Sequence, residues 1–376
     1  MFAFPVGWAA GELPVQAVAS QVALGALLWW WGWPKSDWLA DWVMSFAVLV
    51  FAANFVLIAV QLRAQRTVAR AMASATNQPL IIGNARDDRF GSWWRTLLQI
   101  PWHPRSMVVL RNIPYGPKKR QRLDVWRLST TPANAPVIFY VHGGAWTFGD
   151  KAEQGRPLLH EMVSRGWIAV SINYHLAPKS LWPAQIHDVV RALGWVKGSI
   201  GAMGGDPSRI VVAGASAGGH LAALLALSDD DPTWRPSEMR HIDDWTVRGC
   251  ISYYGVLEMT GHLDIWNGHG AGLRQLLEQY VVGELIVERP DLYQSLSPIE
   301  RITPQAPPFL VIQGGNDTLV DVNVARHFVA RFRERAEAPI YYVEIPLTQH
   351  AFDVTASPRT SAVTRAAVAF AESVIT

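Results

Sequence analysis

Hydrophobic and polar positions divide the chain into unlike parts. Neither Leu13–Pro34 nor Trp42–Leu62 contains a charged residue, and each run has the roughly 20 residues that a helix needs to cross a bilayer. From about residue 106 onward, short apolar runs instead alternate with stretches of helical periodicity. The pattern predicts three segments: a membrane anchor at 1–75, a connecting segment at 76–105 and one large domain at 106–376.

The two apolar runs flank a short polar link that suits a turn outside the bilayer. Tryptophan favours the headgroup level, and six tryptophans surround the link: Trp29, Trp30, Trp31, Trp33, Trp38 and Trp42. Arg63, Arg66 and Arg70 follow the second run directly, and the positive-inside rule then places the large domain in the cytoplasm. We therefore predict a transmembrane hairpin with spans at about 13–34 and 42–62.

Two other arrangements fit the same runs. One is a single span with the large domain outside the cell, and the other is a helical hairpin buried in a soluble protein. A signal peptide is disfavoured because Met1–Leu13 contains no Lys or Arg. The arginine spacing of Gln61–Ala75 suits an amphipathic helix continuing along the membrane surface.

The large domain alternates predicted strands with predicted helices. The strands are expected at Met107–Asn112, Leu123–Leu128, Pro136–His142, Trp167–Asn173, Arg209–Gly214, Gly249–Tyr254, Pro308–Gln313 and Ile340–Ile345. The helices are expected at Ala184–Lys197, Gly218–Leu227, Val322–Arg335 and Ser361–Val374. Such alternation predicts an α/β fold with a mostly parallel central sheet and helices on both faces. Residues 256–303 interrupt the alternation and are predicted to form a lid inserted after a strand.

Composition narrows the classes of partner. The net charge is +2, with 33 Lys and Arg against 31 Asp and Glu, so no nucleic-acid partner is expected. The single cysteine, Cys250, excludes an intramolecular disulfide and lies in a run that predicts a buried strand.

The strongest chemical signal is the pentapeptide Gly214-Ala-Ser-Ala-Gly218, between a predicted strand and a small-residue helix. In a G-x-S-x-G motif the serine occupies a strained strand-to-helix turn that larger neighbours would block. That turn lifts Oγ above the sheet and points a helix N-terminus at the reacting carbonyl. Ser216 is therefore the predicted nucleophile.

A second motif, His142-Gly-Gly-Ala-Trp146, follows a predicted central strand. Acyl transfer needs N–H donors because negative charge develops on the carbonyl oxygen, and paired glycines leave such groups uncrowded. The predicted oxyanion hole consists of the N–H groups of Gly143 and Gly144, joined by that of Ala217. The alternative is a simple Gly-Gly turn, and His142 is predicted to shape the loop.

The acid and the base should follow the serine along the chain in that order. Asp317 comes directly after a predicted strand and is the expected acid; Asp321 is the alternative, or else caps the next helix. His350 follows the last predicted strand and is the expected base. The rivals His269 and His327 lie in the lid and in a helix, where surface positions are expected.

Residues from about 110 to 376 resemble the α/β-hydrolase esterases of the hormone-sensitive-lipase and arylacetamide-deacetylase group. They also resemble the carboxylesterases related to kynurenine formamidase and isoprenylcysteine methylesterase. The residues on which the resemblance rests are His142–Trp146, Asn173–Pro178, Pro183-Ala184 with Asp188, Gly205–Ile210, Gly214–His220, Asp317 and His350. Tyr115-Gly116 together with Leu123–Val125 favours the second group. The resemblance implies the α/β-hydrolase fold and the same triad, with a structural role for Asp188. His175 stands where the family often has arginine, which puts a salt bridge there in doubt.

The expected activity is carboxylic-ester hydrolysis through an acyl-enzyme, with no metal or organic cofactor. The predicted anchor suggests apolar or lipid-like esters as substrates. An amidase or formamidase would use the same triad and remains open. A non-catalytic, membrane-anchored binding protein should have lost a triad member, and all three are present.

Overall fold

The computed structural model describes residues 8–9, 11–31, 38–74, 80, 82, 106–228, 231–239, 242–261 and 271–376. Apart from positions 80 and 82, the predicted connecting segment lies outside the described residues. So do residues 262–270 of the predicted lid, including the rival His269.

One eight-stranded sheet organises the large domain. Its strands are β1 (Met107–Pro114), β2 (Arg122–Leu128), β3 (Ala135–Val141), β4 (Ile168–Ile172), β5 (Gly205–Ala215), β6 (Gly249–Tyr253), β7 (Phe309–Gly314) and β8 (Ile340–Ile345). The spatial order is β1-β2-β4-β3-β5-β6-β7-β8. β2 is antiparallel to both β1 and β4, and every pair from β4 to β8 is parallel. The prediction of a mostly parallel sheet is confirmed.

The central strands are apolar throughout because both faces of the sheet are covered. Every residue of β4, β6 and β7 is buried, whereas the edge strand β1 is largely exposed or half-buried. Alternate residues of β3 enter different hydrophobic clusters: Phe139 belongs to one and Ile138 to the other. The parallel strands thus deliver their carboxyl ends to a single edge of a rigid, buried sheet.

Helices cover both faces, as predicted. The described helices of at least six residues are α1 (Pro14–Trp30), α2 (Trp38–Ser74), α3 (Arg156–Ser164), α4 (Ala184–Ser199), α5 (Ala217–Ala226), α6 (Ala271–Leu276), α7 (Pro290–Ser295), α8 (Val322–Arg335) and α9 (Pro358–Val374). Helices α4, α5 and α8 pack on one face, and α3, α9 and the end of α2 pack on the other. Helix α3 was not predicted, although Leu158, Leu159, Met162 and Val163 have helical spacing and are buried.

Helix α2 has two unlike parts in one continuous stretch of 37 residues. In its first part the apolar side chains are exposed, for example Trp42 at 70% and Leu49 at 68%. In its last part Ala64, Val68 and Met72 are buried against α9 and β8. The apolar face of the amphipathic helix at 61–75 is therefore covered by the large domain in this structure.

The two predicted membrane spans differ in length in the described structure, and only the second is a candidate span there. Within the described residues, one helical stretch, Asp41–Ser74, is long and apolar enough by length and composition to cross a membrane. Helix α1 has only 17 residues and does not qualify. The prediction of a two-span hairpin is thus reduced to one candidate span.

Candidate active site

Ser216 occupies the sharp turn between β5, which ends at Ala215, and α5, which begins at Ala217. Its φ of 56° and ψ of −121° lie in a region that non-glycine residues rarely adopt. Its N–H donates to the carbonyl of Tyr253 at 2.8 Å, which fixes the turn to the end of β6. The side chain is therefore presented at the carboxyl edge of the sheet.

The two motif glycines allow this turn for steric reasons. A Cβ added to Gly214 would lie 2.2 Å from the carbonyl oxygen of Gly218, and one added to Gly218 would lie 2.1 Å from that of Val141. Both distances are far below van der Waals contact, and both oxygens belong to backbone that cannot rotate away. The G-x-S-x-G spacing is thus required by the packing of β3, β5 and α5.

Asp317 and His350 meet at the same edge. Nδ1 of His350 lies 2.7 Å from Oδ2 of Asp317, and both side chains are almost fully buried. Oδ1 of Asp317 accepts the N–H groups of Leu319 and Val320 at 2.9 Å each. With its oxygens acting as acceptors, the carboxylate holds the proton of His350 on Nδ1, which leaves Nε2 to receive a proton from a nucleophile.

A dipeptide at the end of β6 connects the serine to the histidine. Tyr253 accepts the N–H of Ser216, and the ring of the next residue, Tyr254, lies 4.4 Å from that of His350 between centroids. The hydroxyl of Tyr254 donates to Asp353, a carboxylate whose pKa is raised by burial. Sequence reasoning missed both Tyr254 and Asp353, because only the tertiary fold brings β6 beside the loop after β8.

The rival acid and base occupy other places. Oδ1 of Asp321 accepts the N–H of Asn323 at 2.8 Å and so caps α8. His327 lies on the exposed side of the same helix. Neither residue joins the pair formed by Asp317 and His350.

One predicted oxyanion donor is already engaged. The N–H of Gly143 donates to Oε1 of Gln154 at 2.8 Å, so the prediction that it faces an oxyanion is wrong for this structure. The N–H groups of Gly144 and Ala217 donate to no group in the described part of the chain. Gly144 has a φ of 116°, and its backbone passes so close to Phe148 that a Cβ there would lie 2.1 Å from the carbonyl oxygen of Phe148.

Two buried histidines, His142 and His220, stabilise the loop formed by the second motif. The ring of His142 stacks on Tyr174 at 4.4 Å, and burial lowers the pKa of His142 to about 4. His220 accepts from the indole of Trp146 at 3.2 Å, and its other nitrogen lies 2.8 Å from the carbonyl oxygen of Leu296. Burial lowers the pKa of His220 to about 4 as well. Both rings are therefore neutral near pH 7 and serve packing; this agrees with the structural role predicted for His142.

Asp188 is a structural carboxylate, as the family resemblance implied. It accepts the side chain of Gln121 and the backbone N–H of His175, each at 2.7 Å. The ring of His175 also pairs with it. The histidine that stands where the family often has arginine thus contacts Asp188.

Known proteins are similar to much of this chain. Residues 123–332, more than half of the chain, match the family described as BD-FAE. Esterase LipQ of Mycobacterium tuberculosis is 41% identical over 267 residues, which are 70% of this chain and 62% of LipQ. The isoprenylcysteine alpha-carbonyl methylesterase ICME of Arabidopsis thaliana is 28% identical over 230 residues, or 59% of this chain and 52% of that protein. The chain thus spans less than two thirds of the length of these curated relatives.

Solved structures show the same fold. A thermophilic esterase of the planctomycete Thermogutta terrifontis superposes with a TM-score of 0.59 at 21% identity, covering 72% of this chain and 94% of that one. A truncated carbohydrate esterase from gut microbiota gives 0.59 at 21% identity, covering 70% and 96%. The chain therefore belongs to the BD-FAE family, within the α/β-hydrolase esterases.

Proposed function

We propose that the protein is a serine carboxylic-ester hydrolase with Ser216 as nucleophile, His350 as base and Asp317 as acid. The observation that carries the proposal is the buried hydrogen bond between Asp317 and His350, beside the strained turn of Ser216. A series of contacts leads from Ser216 through Tyr253 and its neighbour Tyr254 to His350. It supports placing the serine and the pair of Asp317 and His350 in one active site.

The mechanism follows from the hydrogen bonds. Nε2 of His350 takes the proton of Ser216 as Oγ attacks the acyl carbonyl, and Asp317 stabilises the imidazolium that forms. The oxyanion is held by the N–H groups of Gly144 and Ala217, with Ala145 as the next candidate donor of the loop. The alcohol leaves with the proton of His350, and water, activated by the same histidine, releases the acid from Ser216.

Ester substrates are favoured over amides by the names of the relatives, since LipQ is an esterase and ICME a methylesterase. Apolar or lipid-like esters are favoured by the exposed apolar part of α2. A protein held at a bilayer meets esters that partition into lipid.

The proposal is tested with the full-length protein in detergent. We expect it to hydrolyse p-nitrophenyl esters from acetate to palmitate, and to turn over the matched p-nitroanilides far more slowly. A p-nitrophenyl phosphonate should label Ser216 alone, as mapped by peptide mass spectrometry. Faster hydrolysis of the anilides would make the protein an amidase, and labelling at another serine would reject the proposed site.

Membrane binding through α2 is expected to respond to charge. Replacing both Phe46 and Leu49 by Asp should move most of the protein from the membrane fraction to the soluble fraction, because a charge within the apolar part of a span costs up to about 3 kcal/mol. Val287→Asp, at a position that is 72% exposed on the large domain, is the control and should leave the distribution unchanged. Unaltered membrane recovery of the double variant would show that α2 is not the anchor.

A further inference from the structure

The segment before α1 lies against the loop that carries His350. The indole N–H of Trp8 donates to the carbonyl of Ala351 at 3.0 Å. Ala351 follows the proposed base directly and has a φ of 56°, a conformation that alanine rarely adopts. The hydrogen bond therefore ends on a strained residue of the catalytic loop.

A buried ion pair joins the same segment to both ends of that loop. Nη1 of Arg359 lies 2.6 Å from Oε1 of Glu12, and both side chains are fully buried. Arg359 stands in the first turn of α9, where the loop ends. Its guanidinium also donates to the carbonyls of Gly11 at 2.8 Å and of Leu347, near the start of the loop, at 3.1 Å.

Helix α2 is tied to the same point. The side-chain amide of Gln61 donates to the carbonyl of Gly11 at 2.7 Å. That carbonyl therefore accepts hydrogen bonds from both Gln61 and Arg359. Gln61 is buried where α2 passes from its exposed apolar part to its docked part. Trp8, Gly11 and Glu12 therefore connect the helix of the candidate membrane span to the catalytic loop through hydrogen bonds and an ion pair.

These contacts act on the loop that carries His350 and do not merely attach the N-terminal segment to the large domain. They end on the backbone of Leu347 and Ala351, three residues before His350 and one after it. An attachment alone would be satisfied by any surface of the domain. A buried ion pair is weak as a source of stability, because desolvation offsets most of its attraction; the pKa of Glu12 is raised to about 7 by burial. The pair does hold a defined geometry.

We propose that Trp8, Glu12 and Arg359 are positioning residues for the base, and that the N-terminal segment holds the His350 loop in the conformation that aligns Nε2 with Ser216. The inference rests on the proposed function, in which His350 accepts the serine proton. It makes turnover dependent on the docking of the helices that bear the exposed apolar surface, because release of Trp8 and Glu12 removes the hydrogen bond to Ala351 and the ion-pair partner of Arg359, the residue that bonds Leu347.

The test uses the full-length protein in detergent, with Trp8→Phe and Glu12→Gln. Trp8→Phe keeps an aromatic ring and removes one donor, so it should fold even where Glu12→Gln does not. The number of active sites is titrated with the phosphonate, so that unfolded protein is not counted. Arg165→Gln is the control, because Arg165 pairs with Glu372 at the opposite end of α9.

We expect both variants to lower kcat per titrated site roughly 10-fold, since small misplacement of a catalytic group costs one to two orders of magnitude in rate. KM for p-nitrophenyl butyrate should stay within about 2-fold of the wild-type value, because the change acts on the placement of the base and not on the binding of the ester. Arg165→Gln should match wild type in both kcat per titrated site and KM.

If the wild type is labelled at Ser216 and both variants keep wild-type kcat per titrated site while only their melting temperatures fall, the segment is merely structural and the inference is overturned. If the wild type is not labelled at Ser216, the triad itself is wrong and the inference fails with it. The labelling result separates the two failures.

Discussion

Ser216→Ala should lower kcat for p-nitrophenyl butyrate by about 10⁶-fold, the loss seen when a triad serine is removed. Without Oγ no acyl-enzyme can form, and His350 is left with only water to activate. The turn itself should survive, because alanine adds no atom where Gly214 and Gly218 need space. The measurement is the initial rate at saturating ester with purified, detergent-solubilised protein, together with circular dichroism and a melting curve.

Ser252→Ala is the matched control for that substitution. Ser252 is also a buried serine beside the turn, and its hydroxyl donates to the carbonyl of Gly219 at 3.4 Å. It is not a member of the proposed triad, so Ser252→Ala should keep kcat within a few-fold of wild type. A Ser216→Ala enzyme that retained a tenth of wild-type turnover would exclude Ser216 as the nucleophile.

Asp317→Asn is expected to lower kcat by about 10⁴-fold. The amide oxygen can still accept from Leu319 and Val320, so the local backbone should hold. The amide nitrogen then faces Nδ1 of His350 as a donor, which forces the proton onto Nε2 and leaves no acceptor for the serine. The rate is measured as for Ser216→Ala, with the phosphonate used to count active sites.

The neighbouring Asp321 provides the control for the acid. Asp321→Asn retains a residue that caps helices well, so both the melting temperature and kcat should stay close to wild type. If Asp321→Asn lost more activity than Asp317→Asn, the acid would have to be reassigned to Asp321, although the structure pairs His350 with Asp317.

Much of this protein could be predicted from the sequence, because the signals are local. Strands such as β7 and β8 were located to within a residue, since a run of six mostly apolar residues bounded by glycine or proline permits little else. The strained turn of Ser216 follows from five consecutive residues. The pairing of Asp317 with His350 was predictable because parallel strands deliver their ends to one edge of the sheet.

Only the tertiary structure decided the contacts between distant segments. Periodicity shows that Ala64, Val68 and Met72 share one face of a helix, but an apolar face suits a membrane surface and a protein surface equally. The tertiary structure shows this face packed on α9 and β8. The glycines of the second motif predicted a loop whose backbone N–H groups face an oxyanion. In the structure, however, the N–H of Gly143 donates to the side chain of Gln154. The bond from Trp8 to Ala351 joins residues 343 positions apart, and no local pattern encodes it, because its geometry exists only after α2 has packed on α9 and β8.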